Sequence, residues 1–140
     1  MEMNEYNYDE INTGDVFEFK RKISIEDISN YAELTGDFNP LHCDEEYAKG
    51  TQFKQRIIHG MLAGSLFSTL VGMICPGKKN LYLAQSLNFK VPIYPNSELT
   101  VRGTIKSKSD TIKLIVINTE IIVNGDIAIN GEAKVKVRDN

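Results

Sequence analysis

Alternation with a period of two governs the second half of the chain. Leu81, Leu83, Gln85, Leu87, Phe89 and Val91 point one way, and Tyr82, Ala84, Ser86, Asn88 and Lys90 the other, as in a long strand with two unlike faces. The period returns in Leu99, Val101, Gly103 and Ile105, and again in Ile127, Ile129, Gly131, Ala133, Val135 and Val137. Residues 111–123 are apolar on both faces around Ile115, Val116 and Ile117, which suits a central strand. Turns are expected at Pro95-Asn96, at residues 107–110 and at Asn124-Gly125.

The first half reads differently. Residues 15–20 alternate in part, and Lys20, Arg21 and Lys22 close a short strand. Ser24 with Asp27 three positions on forms a capping-box pattern, and Ile25, Ile28, Tyr31, Ala32 and Leu34 fall largely on one helical face that Gly36 ends. Pro40 removes an amide donor and biases Asn39 towards extended backbone, so residues 36–42 should form an ordered loop. Asp44 can cap a short helix through Tyr47 and Ala48, with Gly50 as its stop. Residues 59–74, HGMLAGSLFSTLVGMI, contain no acid, lysine or arginine and are apolar on nearly every face. This stretch is too long for an ordinary strand and is expected to be a helix buried all round, broken by Pro76 and Gly77.

One strand, two short helices, an apolar helix and then long antiparallel strands make an α+β order. A sheet can hide such a helix only by curling around it, an architecture met by the hot dog fold. Its edge strand would invite a second subunit, so a homodimer or higher homo-oligomer is expected. With 140 residues and 41% hydrophobic content, the chain supports one domain over residues 1–140. A net charge of -3 with scattered lysines and arginines speaks against a nucleic-acid partner. No apolar stretch reaches the roughly 18 residues of a membrane span, and the acidic start MEMNEYNYDE is unlike a secretion signal, so no membrane association and a cytoplasmic location are expected. Cys43 and Cys75 lack paired spacing, and the adjacent His42 and Cys43 supply too few ligands for a metal. Both thiols are expected to be reduced, and no metal is expected.

Three stretches carry a more specific signal: YAELTGDFNPLHCDEEYA, IIHGMLAGSLFS and LAQSLNFKVPIYPNSEL. With them, the chain resembles the MaoC-like (R)-specific enoyl-CoA hydratases over most of residues 15–137. The hallmark of that family, an Asp and a His separated by four residues within an Asn-Pro-Leu loop, stands intact as Asp37 to His42. Taken alone, Asp37 would be a turn residue and His42 a packed histidine; the resemblance makes them a catalytic pair. It implies syn addition of water to a trans-2-enoyl-CoA, giving the (3R)-3-hydroxyacyl-CoA, with a water polarised between carboxylate and imidazole. Coenzyme A is then part of the substrate, and no separate cofactor is expected.

Gly60 opens the apolar helix, where first-turn amides lack a helical acceptor and the dipole is positive. Without a side chain it would let a thioester oxygen approach its N–H, and the resemblance points to the same residue; its bland role is to avoid a clash. Asn39 either holds the loop and orients His42 or merely precedes a proline, and His59 is read as a helix-entry residue. Gly60, Gly64, Ser68 and Val71 recur on one helical face. By spacing alone, close helix-to-sheet packing explains them better than a groove does; the resemblance, in which this helix lines the acyl tunnel, makes Ser68 and Val71 substrate-binding candidates. Three rival functions remain: a 3-hydroxyacyl dehydratase acting on CoA or acyl carrier protein, a thioesterase, and a non-catalytic acyl-binding module. The absence of Asp or Glu from residues 59–74 argues against the thioesterase.

Overall fold

The alternating second half supplies five strands, and residues 16–21 a sixth, of one antiparallel sheet in the computed structural model, which describes residues 1–140. In chain order the elements are β1 (Val16–Arg21), α1 (Ile25–Thr35), α2 (Pro40–Cys43), α3 (Glu45–Lys49), α4 (Gly60–Gly64), α5 (Leu66–Thr69), a π-helical turn (Leu70–Ile74), β2 (Asn80–Gln85), β3 (Asn88–Phe89), β4 (Leu99–Ser109), β5 (Leu114–Val123) and β6 (Asp126–Val137). The strand order is β1-β4-β5-β6-β2, with β3 also on β6. β5, expected to be central, pairs on both sides, with β4 and β6. Asn124 and Gly125 both take positive φ at the β5–β6 turn. The preceding turn falls at residues 110–113 rather than 107–110, because β4 runs on to Ser109 and Lys113 supplies the left-handed backbone.

Local chemistry fixes α1 at both ends. The Ser24 hydroxyl accepts from the Asp27 amide at 3.1 Å, the Asp27 carboxylate accepts from the Ser24 amide at 2.9 Å, and Gly36 closes the helix at φ 82°.

The apolar stretch departs from expectation twice. It is helical from Gly60 to Ile74 but not uniformly, since Ser65 interrupts the α-helical pieces and residues 70–74 widen into a π turn. Nor is it buried all round: Met61, Ser65 and Ser68 form an exposed stripe, while Ala63, Leu66, Phe67, Leu70 and Val71 are buried. The stripe exists because no element of this chain covers that face.

The buried side meets the sheet in two clusters. Ala63, Leu66, Phe67 and Leu70 pack with Leu99, Val101, Ile121, Val123 and Ile129; Val71 and Cys75 pack with Ile105, Ile115, Ile117, Ala133, Val135 and Val137. A methyl group at Gly103 would lie 2.8 Å from Leu70 Cδ2, so this glycine sets how closely helix and sheet approach.

The strand expected over residues 81–91 is divided. Its register on β6 shifts between Tyr82 and Ala84, and Ser86 then crosses over Gly131, where a Cβ would fall 1.8 Å from the Ser86 carbonyl oxygen. Leu81 and Leu83 face outward, 46% and 55% exposed, while Tyr82 packs against the second cluster. A bulged edge strand bearing outward leucines is therefore left on β2.

Candidate active site

The segment after α1 is a chain of short polar turns. The Asp37 carboxylate accepts from the Asn39 amide at 3.2 Å, and the Asn39 side chain accepts from the Leu41 amide at 3.0 Å, capping α2 with Pro40 in its first turn. Asn39 thus holds the turn that presents His42, and its side chain makes that hold through backbone. The ring of His42 is fixed from elsewhere: its Nδ1 lies 2.7 Å from the Ile57 carbonyl oxygen. A carbonyl can only accept, so Nδ1 carries the proton, and in the neutral ring the lone pair sits on Nε2.

His42 and Gly60 line the same cleft, about 440 Å³ in volume, with Phe53, Met61, Phe89 and Ile129 among its walls. At Gly60 a Cβ would lie 2.7 Å from the Phe89 ring, so the absent side chain is required by the packing as well as open to the cleft. Asp37 is not among the residues lining this cleft, and its side chain is 51% exposed.

What connects Asp37 to His42 is a residue that the sequence offers only as a helix entry. His59 is 2% exposed. Its Nε2 lies 3.1 Å from the Asp37 carbonyl oxygen and 4.0 Å from the Asp37 carboxylate, and its ring stacks on His42 at 4.1 Å between centroids. Tyr31 covers the ring at 4.7 Å. Burial pushes the His59 imidazole below its ordinary range, assisted by the neighbouring His42 and opposed by the bond to Asp37. The signal available in the sequence was scarcity: the chain has two histidines, one in the hallmark loop and one beside the candidate glycine.

The small-residue face of the helix splits. Ser68 borders a second groove of about 230 Å³ with Met61, Gly64, Tyr82, Gln85 and Leu87, and Met61 belongs to both openings. Val71, in contrast, is fully buried in the second cluster and lines neither. Gly64 answers to close packing, since a Cβ there would meet Leu87 at 3.2 Å. The thiols are chemically quiet: burial raises Cys43 and pushes Cys75 up to about 12.

The MaoC like domain family matches residues 9–126. An (R)-specific enoyl-CoA hydratase of Aeromonas caviae is 36% identical over 111 residues, covering 79% of this chain and 83% of that protein. A mitochondrial 3-hydroxyacyl-[acyl-carrier-protein] dehydratase of Arabidopsis thaliana is 42% identical over 89 residues, 64% of this chain and 52% of its own length. Among solved structures, the (R)-hydratase from A. caviae superposes with a TM-score of 0.88 at 36% identity, over 91% of this chain and 97% of that one. An R-hydratase from Pseudomonas aeruginosa gives 0.90 at 33%, over 95% and 86%. The curled sheet around an apolar helix is thus the hot dog fold expected from the sequence.

Proposed function

The chain belongs to the MaoC-like domain family, and we propose that it is a hydro-lyase adding water reversibly to trans-2-enoyl-CoA to give (3R)-3-hydroxyacyl-CoA. The observation that carries this reading is the fixed tautomer of His42, whose Nδ1 is committed to Ile57 while the ring borders the cleft that also holds Gly60.

A water placed between His42 Nε2 and the Asp37 carboxylate can lose a proton to this pair as its oxygen bonds to C3 of the enoyl group. The electron pair of the double bond moves towards the thioester oxygen, and a proton from the pair then reaches C2, so one water is added overall. The Gly60 amide, at the first helical position, is the proposed donor to the oxygen that carries the transient negative charge, a role worth about 3 kcal/mol where measured in other enzymes. Ser68, on the adjoining groove, is the proposed acyl-chain contact. Val71 supports the helix from the core and would influence the chain only through that packing.

Incubation with crotonyl-CoA tests the assignment. Loss of enoyl absorbance with formation of the (3R)-alcohol is expected; release of free thiol without hydration would favour a thioesterase. The same site run in reverse is a dehydratase, and the plant relative supports an acyl-carrier-protein substrate. Parallel kcat/KM values on 3-hydroxyacyl-CoA and its carrier-protein counterpart decide between carriers.

A second copy of the chain is the proposed partner. The β2 edge is unpaired on its outer side, and Leu81, Leu83, Met61 and Phe89 are exposed beside it and beside the cleft. Sedimentation should find a dimer at micromolar concentration; a fully active monomer would exclude it. No helix is long and apolar enough to cross a membrane, and the proposed location is the cytoplasm.

A further inference from the structure

We propose that His59 is the positioning residue of this site: sealed between Tyr31 and His42, its imidazole locks the Asp37 backbone and the His42 ring into one geometry. The inference rests on the reading of Asp37 and His42 given above, but its physical basis is separate.

Each contact constrains a different part. The Asp37 carbonyl can only accept, so the bond at 3.1 Å requires a proton on His59 Nε2. A neutral ring then has its lone pair on Nδ1, and that atom is buried without any hydrogen-bond partner. Protonating Nδ1 would bury a charge and an unanswered N–H next to another imidazole. The groups facing the ring are Tyr31 from α1, Asp37 from the loop and His42 from α2. Of these only Asp37 would favour a charge on His59, and its carboxylate is 4.0 Å away with 51% of its side chain exposed. His59 therefore stays neutral, donating to Asp37 and offering a flat, uncharged face to His42.

The placement of His59 also ties these two groups to the helix. It is the cap residue of α4, immediately before Gly60, and its carbonyl accepts from the Ala63 amide at 3.1 Å. Three separate segments that must converge on one substrate are thus joined through a single buried ring. A misplacement of about 1 Å between reacting groups can lower a rate roughly 100-fold, which is the scale of effect expected if the lock is lost.

Two variants separate positioning from support. His59→Phe keeps a ring against Tyr31 and His42 but cannot donate to Asp37; His59→Gln keeps a donor near the Nε2 position and loses the ring. For crotonyl-CoA hydration, His59→Phe should lower kcat about 100-fold while KM moves less than about threefold. His59→Gln should recover at least about tenfold of that loss. Wild-type kcat in His59→Phe, or equal losses in both variants in step with falling melting temperature, overturns the proposal. Nitrogen NMR of the native protein provides a readout that needs no activity, since only two imidazoles contribute. His59 should appear as the neutral Nε2–H tautomer at about pH 6, where an exposed imidazole is mostly charged; an Nδ1–H tautomer or an ordinary titration overturns the proposal. Should the native protein hydrate no enoyl thioester, the assigned function fails, and the His42 ring signals in His59→Phe then decide the lock: shifted signals support it and unchanged ones sink it.

Discussion

The two ends of the apolar helix contain similar residues and meet opposite surroundings. From Gly60 to Ser68 one face of the helix packs on Leu99, Val101, Ile121 and Ile129, while Leu87, in the link between β2 and β3, and Phe89 of β3 cover the glycines and Met61, Ser65 and Ser68 stay open. From Leu70 onward it lies over the middle of the sheet, where Gly103, Ile105 and Ile117 close around Leu70 and Val71. A small or branched side chain on a helix face therefore borders a groove or fills a core according to the strand opposite. The cleft lined by His42 and Gly60 lies at the first of these ends, and the site proposed above is placed there.

The sharpest test of this contrast is to remove polar groups at the open end. Asp37→Asn and His42→Ala should each lower hydration by about 10²- to 10⁴-fold, the usual scale for a general acid–base group. Both side chains are at least partly exposed, so circular dichroism and melting should stay close to native. Near-native turnover in either variant would dissolve the catalytic pair and leave the open end without assigned chemistry.

Much of this division could be read from residues alone, and the limits have physical causes. The strands, the capping box at Ser24 and the Asn124-Gly125 turn depend on local preference, and local patterns carry them. The catalytic pairing proposed for Asp37 and His42 rests on the family hallmark rather than on any local preference. His59 reads in the sequence only as a helix entry, because its stack on His42 and its bond to Asp37 join residues far apart in the chain, which no periodicity encodes. Val71 and Ser68 looked equivalent because helical spacing says which residues share a side but not what stands opposite. The strand over residues 81–91 looked continuous because alternation persists through a bulge, whereas the crossing of Ser86 over Gly131 requires the partner strand to be known.

At the closed end, Val71→Ala should act on stability. Removing two buried methyl groups from a packed site should cost about 2 kcal/mol, or roughly 6 °C in melting temperature for a chain of this size. The ratio of kcat/KM for hexenoyl-CoA to that for crotonyl-CoA should not move. A changed ratio at native stability would show that the acyl chain reaches the second cluster, and the contrast between the ends would need redrawing.

Ser68 should behave in the opposite way. Ser68→Leu fills the groove beside Gly64 and Leu87, and should shift the same ratio towards crotonyl-CoA; Ser68→Ala should shift it modestly towards the longer chain. With about 0.8 kcal/mol per methylene accommodated, one or two methylenes correspond to roughly four- to fifteen-fold. Thermal stability should change little, since the side chain is exposed in the single chain. A flat ratio in both variants would remove the acyl chain from this groove.

The gentlest test uses pH. At the open end His59 is buried with its imidazole held below its ordinary range by burial; at the closed end Cys75, in the cluster with Val71, is pushed up to about 12 by burial and stays neutral throughout ordinary pH. The unfolded chain exposes His59 and binds a proton near its ordinary value of about 6.5, while the folded chain resists doing so. Below that pH the unfolded state holds more protons at this position, so stability falls as pH falls, until the lower folded value is reached. The contribution is fully present above about pH 6.5, and its slope cannot exceed about 1.4 kcal/mol per pH unit for one proton. All other titratable groups remain in His59→Gln, so the difference between the two chains isolates this position. Denaturant melts of the native chain and His59→Gln from about pH 7.5 to 5 should therefore diverge in slope by up to one proton, whatever the variant does to stability at neutral pH. Cys75→Ser should leave the slope unaltered. Parallel lines for the native chain and His59→Gln would mean that His59 accepts its proton in the folded state, and the buried neutral ring that joins Asp37 to His42 would have to be abandoned.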